Sequence, residues 1–330
     1  MKQDSKIYVA GHRGLVGGAI IRKLKAAGYT NLITKTHGEL DLTHQDAVNS
    51  FFMAEKPEYV FLAAAKVGGI GANSHYPADF IYENSMISFN VIHASYQYNV
   101  RKLMNLGSSC IYPKMAPQPL KEEYLLSGYL EPTNDAYAIA KISAIKLCTA
   151  YNKQYGTNFL SAMPTNLYGP GDNYDLNNSH VFPALIRKFH EAKISVTDKV
   201  ILWGDGSPYR EFMYSDDLAN AVVYLMEHCN AEDLRNDAGD FINIGTGKDM
   251  PIKELAELIC GIVYKDAPGR ICEIEWDASK PNGTPKKLLD ISRLNMLGFK
   301  SGTSLEEGIR KAYNDFVSKV TSLATDGSVE

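Results

Sequence analysis

Lys6-Ile7-Tyr8-Val9-Ala10-Gly11-His12-Arg13-Gly14-Leu15-Val16-Gly17 is the run that decides the architecture. An apolar strand, Lys6–Ala10, ends in the pattern GxxGxxG, and a helical pattern opens behind it at Leu15. Gly11 permits the tight turn, Gly14 lets backbone approach a pyrophosphate, and Gly17 lets helix and strand pack closely. The helix N-terminus then turns free N–H groups and a positive dipole toward an anion. A glycine triplet is weak on its own; at the first strand-to-helix junction of an alternating chain it marks a dinucleotide site. Gly11, His12, Arg13, Gly14, Leu15, Val16 and Gly17 are therefore candidate cofactor contacts.

The alternation continues outward. The helix Leu15–Ala27 stops at Gly28, a usual C-terminal signal. Asn31–Thr36 reads as a strand, Gln45–Glu55 as a helix, Tyr59–Ala63 as a strand and Asp79–Asn99 as a long helix. Strand Lys102–Gly107, helix Tyr137–Tyr155 and strand Phe159–Met163 follow. Strands with near-continuous apolar interiors, separated by helices, predict a doubly wound parallel sheet of the Rossmann type. Beyond Pro164 the texture changes. Tyr168–Ser179 is rich in Gly, Pro, Asn and Asp and reads as a loop. Helices are expected over 181–192, 215–228, 252–264 and 304–317. Short strands are expected at Val200–Leu202, Phe241–Ile244, Ile274–Trp276 and Lys287–Leu289, with Phe241–Ile244 able to rejoin the main sheet. The fold class is thus α/β, a Rossmann domain with a smaller mixed α/β domain. Residues 1–170 with about 215–249 form the first, and 171–214 with 250–330 the second.

Composition agrees. The chain has 330 residues, 45% hydrophobic and 22% charged, room for about two domains at ~150 residues each. Thirty-four Lys and Arg against 38 Asp and Glu leave a formal charge of −4, which argues against nucleic acid as a partner. No apolar run reaches the ~18 residues of a membrane helix, and no signal peptide is visible at the polar start. Cys110, Cys148, Cys229, Cys260 and Cys272 show no zinc spacing. They read as reduced thiols of a cytoplasmic protein without a metal. There is no internal repeat, and the last ten or so residues are expected to fray.

The end of the second strand distinguishes NAD from NADP. An acidic residue there would bind a ribose 2′-hydroxyl; this chain has Thr34-Lys35-Thr36-His37, with no carboxylate before Glu39. Arg13 and Lys35, joined by His37, make a cationic pocket suited to a 2′-phosphate. The expected cofactor is NADP(H). Asp41 and Leu42 stand where the adenine would lie, and Ala63 and Ala64 close the third strand with small side chains.

Tyr137-Ala-Ile-Ala-Lys141 puts a phenol and an ammonium on one helix face. The ammonium is expected to lower the phenol's pKa, so that the hydroxyl can exchange a proton with a carbinol or carbonyl oxygen during hydride transfer. Ser108, just beyond the fourth strand, lies at the carboxyl end where such sheets bind ligands. Gly11, Ser108, Tyr137 and Lys141 together resemble the extended short-chain dehydrogenase/reductases over essentially the whole chain.

A closer resemblance rests on GHRGLVG (11–17), AAAKVGGI (63–70), YPADFIY (76–82), GSSCIYPK (107–114), YAIAK (137–141), PTNLYGPG (164–171), NSHVFP (178–183) and the stretch 203–217. These look like the GDP-L-fucose synthase family. The resemblance implies NADPH-dependent conversion of GDP-4-keto-6-deoxy-D-mannose to GDP-L-fucose, with epimerisation at C3 and C5 before reduction at C4. It implies Cys110 as the epimerisation base and His180 as the acid, both groups able to exchange protons near neutrality. It further implies that Pro164, Asn166, Leu167, Lys141 and His180 contact the cofactor. Lys188, Trp203, Arg210 and Lys280 would bind the nucleotide sugar. Relatives pair the helices 79–99 and 137–155 into a homodimer interface. Where Lys188 stands the family often has Arg, which would bond in a fork. Two other readings compete: an NAD-dependent nucleotide-sugar 4-epimerase or 4,6-dehydratase, and a non-catalytic NADP-sensing module. The run Thr34–His37 and the Cys110/His180 pair argue against the first, and the complete Ser108, Tyr137, Lys141 set against the second.

Overall fold

The computed structural model describes residues 1–325 apart from Asn177, Asp198, Pro268, Ile271 and Pro281. About half of the terminus expected to fray, residues 326–330, lies outside the described residues, and α10 runs through the other half to Thr325. The first elements are β1 (Ile7–Ala10), α1 (Leu15–Ala26), β2 (Leu32–Ile33), α2 (Gln45–Glu55), β3 (Tyr59–Leu62), α3 (Ile70–His75), α4 (Pro77–Gln97), β4 (Lys102–Leu106), α5 (Asp135–Tyr155) and β5 (Phe159–Pro164). Then come β6 (Asn166–Tyr168), α6 (Val181–Ile194), β7 (Lys199–Trp203), β8 (Tyr209–Tyr214), α7 (Ser215–His228), β9 (Arg235–Asn236) and β10 (Gly239–Ile244). The last are β11 (Asp249–Pro251), α8 (Ile252–Val263), β12 (Glu273–Asp277), β13 (Lys286–Lys287), α9 (Ser292–Met296) and α10 (Leu305–Thr325).

Seven strands form the main sheet in the order β2-β1-β3-β4-β5-β10-β9. All neighbours are parallel except β9 against β10. Strand β10 lies beside β5 with Phe241 opposite Ser161, so the late run does rejoin the sheet. The chain leaves β1 for β2 on one side and returns to β3 on the other. That reversal opens a crevice at the carboxyl ends of β1 and β3, where doubly wound sheets bind ligands. Helices α1 and α7 bury one face, around Ile20, Leu24, Leu218 and Val222; α2, α4 and α5 bury the other, around Phe52, Val91, Ala144 and Cys148.

The remaining strands make two small sheets. β8 is flanked by β11 and β13 and also pairs with β6; β12 pairs with β7. Helices α6, α8 and α10 share one apolar cluster with them, including Phe182, Phe189, Leu255, Ile259 and Phe316.

β6, β9, β11 and α9 are short elements that the sequence reading did not single out, β13 is Lys286–Lys287 rather than Lys287–Leu289, and three further elements differ in ways with a clear cause. β2 is only two residues long, because the chain bends at Thr36, whose N–H and hydroxyl both donate to the Glu39 carboxylate at 2.7 Å. α3 was hidden by the glycines around it. β8 was missed because Arg210 and Glu211 sit at its centre and interrupt the apolar pattern. Its fully buried Glu211 carboxylate accepts from the N–H groups of Thr246 (2.5 Å), Gly247 (2.7 Å) and Leu289 (3.0 Å). The charge is solvated by backbone donors brought from distant segments, which no local pattern reveals. Among the described residues, no helix is long and apolar enough to cross a membrane.

Candidate active site

The glycine turn is the first part of the site. Gly11 has φ +81°, and a Cβ there would stand 2.7 Å from Ala64 N. A Cβ on Gly17 would stand 2.1 Å from the Gly11 carbonyl oxygen. The protein itself therefore requires these two glycines. Gly14 differs: its Cβ would meet nothing nearer than 3.5 Å, so the missing side chain leaves room above the N-terminus of α1, which Gly14 caps. His12 Nδ1 is enclosed here with no hydrogen-bond partner among the described residues. The backbone of Ala63 and Ala64 passes directly beneath Gly11. This cradle fits the diphosphate of a dinucleotide.

At the end of β2 the outcome is less simple. Arg13 and Lys35 do converge, but on Glu39, whose carboxyl is held below its ordinary pKa by its bonds to Thr36 and by both cations. His37 lies 3.9 Å from Asp41, and His44 lies 3.4 Å from it. Asp41 also accepts from the Thr43 N–H at 2.9 Å. Leu42 is part of the core, and its carbonyl accepts from Asn90.

The second part lies beyond β4. Ser108 begins a 3₁₀ turn, Ser109–Ile111, and its hydroxyl oxygen accepts from the Cys110 N–H at 3.4 Å. From the facing helix α5, Lys141 donates to the Leu106 carbonyl at 2.8 Å. Its ammonium stands 5.7 Å from the centre of the Tyr137 ring. Phe80 meets the same ring edge to face, with centroids 6.2 Å apart. Phenol, ammonium and strand end are thus fixed to one another by a carbonyl bond and two ring contacts.

The electrostatics correct one expectation. Burial, with the nearby Cys110 thiol acting in the same direction, pushes the Tyr137 phenol well above its ordinary pKa rather than below it. The desolvation falls on Lys141 too, whose pKa is pulled down to about 8. Cys110 is buried and its thiol is raised by that burial, against the opposing pull of Lys287, Ser108 and Lys141.

His180 caps the N-terminus of α6 and is delivered by the 169–179 loop. That loop is ordered by the Ser179 N–H donating to the Asp175 carbonyl at 2.7 Å. It is docked by the Gly69 N–H on the Asn178 carbonyl at 3.1 Å, and a Cβ on Gly69 would stand 3.0 Å from Ser179 O. The imidazole is open at its rim but crowded by protein, and this crowding, with the Lys287 ammonium, holds it below its ordinary pKa. Pro164 ends β5. Asn166 donates to the Glu211 carbonyl at 2.8 Å, and Leu167 packs against the main core.

The expected sugar-nucleotide residues fall on the smaller sheets. Trp203 ends β7 with 61% of its surface exposed, and the Lys280 ammonium lies 5.5 Å from its ring. Lys188 donates to the Ile201 carbonyl at 2.8 Å, two residues from Trp203. Arg210 lies on β8 directly opposite Lys287 of β13. Burial pulls its pKa down to about 10 against the support of Glu131. Sequence reading passed over Lys287 and Glu131. Neither belongs to a motif; the pairing of β13 with β8 sets Lys287 opposite Arg210, and bonds from Gln118 and Leu120 to residues 286–288 bring it into the pocket that Cys110 lines.

Comparison with known proteins follows the geometry. Residues 7–245 match the NAD dependent epimerase/dehydratase family. GDP-L-fucose synthase 1 of Arabidopsis thaliana is 54% identical over 96% of this chain and 95% of its own length. GDP-L-fucose synthase of Escherichia coli is 52% identical over 94% of this chain and 96% of its own. Among solved structures, GDP-mannoheptose C4 reductase of Campylobacter jejuni with NADP bound superposes with a TM-score of 0.87 at 43% identity. The match covers 96% of this chain and 99% of that one.

Proposed function

The chain belongs to the NAD dependent epimerase/dehydratase family, among relatives that are GDP-L-fucose synthases, and from that premise we propose how its cleft works. The activity is the NADPH-dependent conversion of GDP-4-keto-6-deoxy-D-mannose to GDP-L-fucose. Bound NADPH supplies a hydride. Cys110 and His180 exchange protons at C3 and C5, which the C4 ketone makes acidic. Ser108 and Tyr137 donate hydrogen bonds to the C4 oxygen, where charge collects in each enolate. Tyr137 finally gives its proton to that oxygen. The high pKa of the phenol supports this role, because it keeps the donor protonated until charge develops. Lys141 orients Tyr137 and is positioned to hold the cofactor ribose. The observation that carries the reading is that Lys141, with Tyr137 beside it, is bonded to the Leu106 carbonyl at the end of β4, the strand whose next turn carries Ser108 and Cys110. It lets one bound ketone face the proton-exchange group and the reducing pair together.

The first test is turnover in D₂O. NADPH oxidation with deuterium at both C3 and C5 of the product is the expected result. Oxidation without deuterium would make the protein a plain 4-ketoreductase, a reading kept alive by the Campylobacter jejuni C4 reductase. Cys110 and His180 would then have structural roles.

For the cofactor, Arg13 and Lys35 are the groups we assign to the 2′-phosphate. Lys35→Ala should weaken NADPH about tenfold while leaving NADH within about twofold, measured by fluorescence titration, as expected for a lost charge-assisted hydrogen bond. Equal weakening of both would remove Lys35 from that role. We assign the nucleotide sugar to Lys188, Trp203, Arg210 and Lys280, with the guanine or sugar on the exposed Trp203 ring. The domain division expected from sequence places the cofactor on the seven-stranded sheet and the sugar nucleotide over the smaller sheets. A homodimer through α4 and α5 is supported by the exposed Ile81, Tyr82, Phe89, Ile139 and Tyr155 on those helices. Five free cysteines suit a reducing cytoplasm.

A further inference from the structure

Three lysines line the small pocket beneath Cys110, together with Glu131, Thr284 and Tyr112. Two are matched to carboxylates: Lys114 with Glu131 at 2.9 Å and Lys286 with Asp249 at 3.2 Å. Among the described residues, the third, Lys287, makes no ion pair or side-chain hydrogen bond. Its backbone is nevertheless held on both sides by one residue. Gln118 donates to the Lys286 carbonyl at 3.3 Å and accepts from the Leu288 N–H at 2.9 Å. The Leu120 N–H adds a bond to the Leu288 carbonyl at 2.7 Å. Gln118 and Leu120 belong to the same segment that leaves Cys110. The chain thus clamps an unmatched, half-buried ammonium against the turn that carries the thiol.

We propose that Lys287 is a positioning residue of the epimerase half-reaction, its unmatched ammonium lying against Cys110 and stabilising the thiolate that removes the C3 and C5 protons. The inference rests on the assignment of Cys110 as a proton-exchanging group. Among the described residues, Lys287, Lys114, Lys286 and Glu131 share the pocket with Cys110, and Tyr137 and Lys141 act on it from α5. Lys141 is already committed to the Leu106 carbonyl and the Tyr137 ring, which leaves Lys287 as the uncommitted cation. It also faces His180, where a positive charge disfavours the imidazolium. One ammonium therefore acts on both proton-exchanging groups, easing proton loss from the thiol and sharpening the acidity of the imidazolium. Burial and Arg210 work against the charge on Lys287, while Cys110 and Glu131 support it.

The test reads the thiol directly. The full chain is treated with methyl methanethiosulfonate across pH, and modification of Cys110 is followed by peptide mass spectrometry. In Lys287→Met the midpoint should move up by about one pH unit, with modification at pH 7 slowed about tenfold, as expected for loss of one neighbouring charge. Lys287→Arg should restore the original profile. Lys287→Gln serves in place of Met if that variant does not fold, with Cys229 as the internal control for folding. An unchanged Cys110 profile with raised KM would make Lys287 a substrate contact only, and would overturn the proposal. Full deuterium incorporation by Cys110→Ser would instead remove the reading of Cys110 on which it rests, leaving the thiol titration as measured.

Discussion

Tyr137→Phe is expected to lower the rate of C4 reduction by about 10²–10⁴-fold, the usual worth of a positioned proton donor. The ring stays in place, because Phe80 and the Lys141 ammonium contact its faces and edges rather than the hydroxyl. Cofactor binding should change little, and the loss should appear in kcat. The enolate oxygen would keep Ser108, so deuterium should still enter C3 and C5 of the unreduced ketone, more slowly. The two readouts separate the phenol's two uses. NADPH consumption at the parent rate would show that another group protonates the oxygen, and the assignment would fail.

Cys110→Ser and His180→Gln should each cut deuterium entry by about 10²–10⁴-fold while leaving NADPH affinity unaltered for the serine variant. The pH profile carries a sharper expectation. The thiol lies above its ordinary value of 9.0 and the imidazole below its ordinary 6.5. If the thiolate is the base and the imidazolium the acid, the active form is a minority whose population is constant between the two pKa values. The rate should therefore be flat across neutrality, fall below pH 6.5 as the thiolate is lost, and fall again above pH 9 as the imidazolium is lost. The limbs are still set by the pair's own titrations: the acid limb falls at the His180 pKa and the alkaline limb at the Cys110 pKa. His180→Gln should erase the alkaline limb and the neutral plateau together, leaving a residual activity that climbs with pH toward the Cys110 pKa. A profile with a maximum narrower than one pH unit would show that the two groups are not opposed in this way.

Much of this was legible before any coordinates. The glycine turn was readable because two of its glycines answer to hard contacts with the protein's own backbone, and such contacts restrict residue type strongly. Tyr137 and Lys141 were readable because a helix brings positions four apart together, whatever surrounds it. Their energetics were not. The lowered phenol pKa assumed an exposed pair, and burial reversed the direction. β8 and Lys287 share a different cause. Both depend on which strands become neighbours: Arg210 and Glu211 look unsuited to a strand until the donors at 246, 247 and 289 arrive. Lys287 is one lysine of a Lys-Lys pair until β13 aligns with β8. Glu39 shows the reverse. It stood outside the expected cation pair, yet a turn at Thr36 carries it back to Lys35 and Arg13.

The bonds to Glu211 also bear on how the molecule comes apart. Its donors lie 35, 36 and 78 positions away along the chain, and a Cβ on Gly245 would stand 2.3 Å from its carboxylate oxygen. β10 is the last strand along the chain to join the main sheet, so residues up to about 245 resemble a unit that a protease or a gene truncation could cut free; they are not one. Severing the chain there would leave a buried anion stripped of most of its solvation, a cost of several kcal/mol. The first 245 residues thus depend for their fold on those that follow, and the two parts are expected to unfold together.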